Sequence, residues 1–293
     1  MMTGREWVLV VMLIVLAGTG SLVLGAGKEP AGTAAGSAAG SAAGSAAGSA
    51  AGSAAGSAAG SAAGPATGTG GTPGGPAGMP DGDSRHTVVI DPGHPSEISG
   101  GANANGLREV DVNWEVGQAL AARLAADPRI HVLVNRAEKM RMMTNRERAE
   151  FANRARAALV VRLHCDYAPG RSGFVIYYPD AQGTNAGRTG PSQFVITRSR
   201  MAAEAFHRGM ARRLAGVFPD GGLKTDRSTA VGAKNGGALI GSIWSEVPTL
   251  TVEMIYLNNP VDAAFISSEA GKQAMTEALA AGVGEALASL PAE

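Results

Sequence analysis

Residues 145–166 read NRERAEFANRARAALVVRLHCD. The first half is charged and helix-periodic, and from Leu159 it becomes a short apolar run, LVVRLH, that ends on a histidine, His164. A helix feeding directly into a buried strand is one step of a βα alternation, and the same grammar recurs on both sides. Upstream, TVVI (Thr87 to Ile90) reads as a buried strand, Val112, Val116, Leu120 and Leu124 mark one face of a helix, and HVLVN (His131 to Asn135) is a second strand. Downstream come a strand GFVIYY (Gly173 to Tyr178), a helix from about Gln193 to Leu214, a strand TLTVE (Thr249 to Glu253) and a closing helix from about Gly271 to Leu290. Such alternation predicts an α/β fold: a single domain over 86–293 with a mostly parallel, twisted sheet and helices on both faces.

The rest of the chain is organised differently. Arg5 precedes an uncharged apolar stretch, Trp7 to Gly27, near the lower bound for crossing a bilayer. Residues 1–27 are therefore read as a signal peptide or an N-terminal membrane anchor. Leu24 fits the small-x-small cleavage pattern before Ala26 poorly, so cleavage and retention both stay open. From Ala34 the motif AAGS repeats seven times, and residues 28–85 form a tract whose one large apolar side chain is Met79. Such a tract cannot offset its ordering entropy, so it is expected to be a disordered linker. A flexible chain of about 50 residues spans roughly 40 Å, enough for a tethered domain to search an adjacent polymer layer.

Net charge is zero, with 25 basic and 25 acidic residues, which gives no global field for nucleic acid. The one cysteine, Cys165, excludes an internal disulfide framework and any paired-cysteine zinc motif. A metal site would have to use histidines and carboxylates.

Three strands end in such residues: TVVI leads into DPGH and His94, LVVRL ends at His164, and TLTV ends at Glu253. Ligands gather at the carboxyl ends of strands in open α/β sheets, so the three should converge. Glu109 stands just before the first long helix as a fourth candidate. Two imidazoles and a carboxylate with a position open to water form a catalytic zinc shell, and a further carboxylate can act as general base. A carboxylate closing a run as apolar as TLTV needs a partner or a function to offset its desolvation.

These segments resemble the zinc-dependent N-acetylmuramoyl-L-alanine amidases of cell-wall hydrolases and endolysins. VVIDPGH (Val88 to His94) is similar to the family's opening strand and first zinc ligand, and GLREVDVNWEV (Gly106 to Val116) to its Gly-Leu-x-Glu segment. Residues 145–166 are similar to its helix and the strand bearing the last ligand, and VPTLTVEMIYLNNP (Val247 to Pro260) to its closing strand. The resemblance implies Zn²⁺ held by His94, Glu109 and His164, with Glu253 as catalytic base. The implied reaction is hydrolysis of the amide between N-acetylmuramic acid and the L-alanine of the peptidoglycan stem peptide.

It further implies peptidoglycan as partner; the chain is expected to act as a monomer, and its N-terminal segment points to export to the periplasmic or cell-wall space, with membrane attachment if that segment is kept. Whether an activating protein is needed stays open. A zinc carboxypeptidase or endopeptidase and a non-catalytic wall-binding module are the alternatives.

The loop PSEISGGA (Pro95 to Ala102) departs from the family pattern of two glycines and a nearby Asp after DPGH. It creates a second candidate carboxylate, Glu97, in an HxxE pair with His94. Cys165, adjacent to His164, should face away from it. His86, His131 and His207 are expected to be surface or structural residues, and Arg146 and Asn153 to brace loops near the site. Pro179 to Pro191 (PDAQGTNAGRTGP), rich in glycine and poor in apolar residues, is expected to be a mobile loop without a blocking helix.

Overall fold

In the computed structural model, residues 86–291 are described. The expected export segment and linker lie outside that span. Among the described residues no helix is long and apolar enough to cross a membrane.

The elements run β1 (His86–Pro92), β2 (Asn103–Ala104), β3 (Leu107–Arg108), α1 (Glu109–Ala125), β4 (Ile130–Val134), α2 (Asn145–Arg154), β5 (Leu159–Asp166) and β6 (Phe174–Tyr178). There follow β7 (Gly183–Asn185), β8 (Arg188–Gly190), α3 (Gln193–Leu214), β9 (Asp220–Thr225), α4 (Ala230–Lys234), α5 (Ile240–Ile243), β10 (Thr249–Tyr256), α6 (Pro260–Ser267) and α7 (Glu269–Ser289). The main sheet has the order β4-β1-β5-β10-β6-β9. Every neighbouring pair in it is parallel except β10 with β6.

Residue parity sorts the sheet into two faces, as the pleat requires. Val88, Ile90, Leu159, Val161, Leu163, Leu250 and Val252 lie in the large core with the apolar stripes of α1, α3 and α7. The pair α3 and α7 approaches closely because Gly209 and Gly282 carry no side chain: a Cβ on Gly209 would stand 2.7 Å from the Ala281 carbonyl oxygen. The opposite face is thinner. Val89 and Val160 pack there with Ala152 and Ala157, while Ala149 joins Ile240, Ile243 and Trp244. Towards the strand ends this second face turns polar, with Asp91, Arg162, His164, Thr251 and Glu253 sharing its parity.

Local sequence accounts for the helix starts that set this geometry. Thr144 and Glu147 form a reciprocal capping box that begins α2 beside the first strand's exit loop. Asn259 accepts from the Val261 and Asp262 amides with Pro260 in the first turn, which starts α6 just after β10. Glu109 is the first residue of α1, so its position follows directly from where that helix starts.

The segment Pro179 to Pro191 corrects an expectation: instead of a mobile loop it forms the hairpin β7–β8. Gly183 and Gly190 sit where a Cβ would meet the backbone of Asn235 and Ile243, so the glycines permit close packing. The Thr184 amide donates to the Asn235 carbonyl, and the Trp244 indole to Asn185.

Candidate metal centre

The site begins with an anchor. Asp91, buried near the end of β1, accepts from Asn135 at 2.7 Å, from Arg162 at 3.1 Å and from Arg148. Burial alone would raise its carboxyl, but Arg148, Arg162 and the Asn135 amide outweigh it and hold Asp91 well below the usual carboxylate range. Three residues later the chain passes His94, whose φ of 55° lies in the left-handed region. The Ser99 carbonyl and hydroxyl oxygens lie 3.1 and 3.2 Å from His94 Nδ1, which leaves Nε2 to face inward.

Glu109 is the hub. Its Oε1 lies 3.2 Å from His94 Nε2 and 3.1 Å from His164 Nδ1, and it accepts from the Cys165 amide at 3.2 Å. Oε2 accepts from the Ala102 amide at 2.9 Å. One ligand atom from each of His94, Glu109 and His164 falls within a 4.8 Å cluster. Burial would raise the Glu109 carboxyl, yet the hydrogen bonds and charges of His164 and His94 overcome it and keep it strongly lowered. Burial pushes His164 down, towards the neutral form that a metal requires. The donor set of two imidazoles and one ionised carboxylate therefore suits Zn²⁺. Packing is tight: a Cβ on Gly93 would come within 2.4 Å of the His164 ring.

Glu253 sits opposite His164 in the β10–β5 register. Burial, with Glu109 and Asp166 nearby, pushes its carboxyl well above the ordinary value, and Oε2 has no hydrogen-bond partner. A cavity of about 390 Å³ lies over this face. Arg162, Thr251 and Tyr177 line it together with His94, His164 and Glu253, and Ser228–Val231 and Leu239–Ile240 also contribute. Asp226 helps hold that last segment, accepting from the Leu239 amide at 3.1 Å, and burial raises its carboxyl to about 6.

The structure thus brings together all four residues singled out from sequence. Glu97 is elsewhere: its carboxylate accepts from the Asn145 amide at 2.8 Å at the start of α2. Cys165 faces the opposite core, its thiol donating to Asn113 at 3.4 Å. Asn153 is a brace, bonded to the Trp244 carbonyl and the Glu246 amide, and exposed Arg146 lies 4.3 Å from the Trp244 ring centroid and pairs with Glu150. His207 pairs with Asp220, and His86 is exposed. Arg148 and Arg162 were missed by the sequence reading. The available signal was an arginine inside LVVRLH and an aspartate at the end of VVID, two charges in apolar runs that answer one another.

Residues 88–285 match the family described as N-acetylmuramoyl-L-alanine amidase. The chain belongs to that family. An N-acetylmuramoyl-L-alanine amidase of Mycobacterium tuberculosis is 28% identical over 225 residues, covering 69% of this chain and 86% of the relative. Among solved amidase structures, Ami1 from Mycobacterium smegmatis superposes with a TM-score of 0.56 at 22% identity, over 71% of this chain and 99% of that one. AmiC2 of Nostoc punctiforme gives 0.53 at 24% identity, over 69% and 97%. At those identities the superpositions speak for the amidase fold alone.

Proposed function

We propose that this domain hydrolyses the amide joining N-acetylmuramic acid to the L-alanine of the peptidoglycan stem peptide, with Zn²⁺ held by His94, Glu109 and His164. The bond is taken from membership of the amidase family and the description of the mycobacterial relative. The observation that carries the mechanism is the unpartnered Glu253 oxygen beside the two-histidine, one-carboxylate cluster.

Zn²⁺, when bound, supplies Lewis acidity towards the scissile carbonyl and towards water. Glu253 is the base: its raised proton affinity lets it take a proton from the attacking water and deliver it to the departing amine. Water's oxygen ends on the lactyl carbon as a carboxylate, and L-alanine leaves with a free amino group. Glu109 keeps its charge among the histidines and serves as ligand, while Arg148 and Arg162 hold Asp91 and so the end of β1.

The apolar N-terminal stretch supports export, with the catalytic domain working in the periplasmic or cell-wall space as a monomer. Labelling of new amino termini in digested peptidoglycan tests the bond. L-alanine is the expected labelled residue, and a labelled residue further along the stem peptide would favour the endopeptidase alternative.

A further inference from the structure

Arg136 takes no part in the chemistry derived above, yet it is only 3% exposed, directly behind the first ligand. It stands two residues after β4. Its Nη1 donates to the His94 carbonyl and its Nη2 to the Gly93 carbonyl at 3.3 Å, while Nε has no partner. The guanidinium lies 5.5 Å from the centroid of the Trp114 ring on α1, and Asn113, one residue earlier, also donates to the Gly93 carbonyl at 3.5 Å. Burial and the neighbouring Arg148 push Arg136 down to about 10, against the pull of Asp91, so it is still a cation at neutral pH.

A buried cation aimed at two successive main-chain carbonyls is costly to keep, and the backbone it grips is unusual. His94 is a non-glycine residue with φ of 55°, a conformation that persists only when its surroundings over-determine it. Ser99 fixes the imidazole end and Arg148 holds the Pro95 carbonyl, but the His94 and Gly93 carbonyls are held from Arg136. Gly93 is also the residue against which the His164 ring packs, so the turn that carries His94 is closely fitted to its neighbour.

We propose that Arg136 is a positioning residue for the metal centre, fixing the left-handed turn that aims His94 at Glu109 and His164. The inference rests on the zinc reading above. The fork of the guanidinium is needed because a lysine ammonium cannot span both carbonyls in one plane.

The full-length protein tests this with Arg136→Lys, Arg136→Gln and, as control, the exposed Arg146→Gln. Zinc affinity is measured by competition with a chromogenic chelator, apo-protein stability by thermal melting, and ligand geometry by the visible spectrum of the Co²⁺-substituted protein. Both Arg136 variants should bind zinc at least tenfold more weakly and alter the Co²⁺ spectrum, while Arg146→Gln does neither. In a His94→Ala background the same substitutions should change residual zinc affinity less than twofold.

Parent-like affinity with a lowered melting temperature would make Arg136 a purely structural residue and overturn the proposal. So would an equal loss of affinity with and without His94. Should Arg136→Gln not fold, Arg136→Lys, which keeps the charge, decides. If neither folds, Arg136 holds the fold and the proposal falls. A parent protein that binds no zinc in this assay would remove the zinc reading itself, and this inference with it.

Discussion

Glu253 and His164 face one another across the β10–β5 ladder in direct register, so the unpartnered carboxylate and a candidate ligand imidazole look into the same cavity. Because Glu253 is a raised acid, its ionised form weighs against folding above the unfolded-state pKa of about 4.3. Glu253→Gln should therefore leave the metal-free protein at least as stable at pH 7 to 8, retain zinc, and lose about 10²- to 10⁴-fold in turnover. Melting, metal analysis and rate on one preparation check this. A zinc-loaded variant with near-parental turnover would take Glu253 out of the mechanism.

The two candidate carboxylates should separate by metal content. Alanine at His94, Glu109 or His164 should greatly reduce zinc occupancy, whereas Glu97→Ala should keep it. The latter loses its contact with the start of α2, which is worth roughly 0.3–1 kcal/mol. Elemental analysis after gel filtration decides; zinc lost from Glu97→Ala and kept by Glu109→Ala would reverse the ligand assignment.

Asp91 should set the acid limit of stability. Its folded-state pKa is depressed by two arginines, so its contribution is complete above about pH 4 and is lost as pH falls further. Asp91→Asn leaves Arg148 and Arg162 without their shared carboxylate and should cost about 3–5 kcal/mol at pH 7. Denaturant titrations of parent and variant between pH 2 and 7 measure it. Curves that stay parallel throughout would show that Asp91 contributes no pH-dependent stability.

Asp226 has the opposite sign. Its folded-state value of about 6 exceeds the unfolded one, so stability declines as pH rises from about 4 through 6 and stays lower above that. Asp226→Asn should flatten this slope and gain up to about 3 kcal/mol at pH 8. A slope unchanged by the substitution, in melts between pH 4 and 8, would remove Asp226 as its source.

The elements legible in sequence were those whose own residues carry the pattern. The stretches around Val88, Val161 and Val252 are apolar strands, α3 was bounded at Gln193 and Leu214 as found, and the four candidate site residues were marked by strand ends and family motifs. β9 was not visible, because DGGLKT has one large apolar residue and a glycine at φ 90°, and it becomes a strand by pairing with β6. The β7–β8 hairpin looked like a free loop because its glycines serve packing against Asn235 and Ile243, distant in sequence. Arg136 and Arg148 were hidden for a similar reason: in NRAEK and NRERAE they read as solvated charges, and only the fold places them behind His94 and Asp91.

Mass spectrometry of purified peptidoglycan, incubated with the zinc-loaded full-length protein, with the same protein after chelation, and with Glu253→Gln, tests the central claim most directly. Stem peptides released with a free N-terminal L-alanine, from glycan strands that keep N-acetylmuramic acid, are expected from the zinc-loaded parent alone. The same products at the same rate from the chelated protein, or cleavage only within the stem peptide, would contradict it.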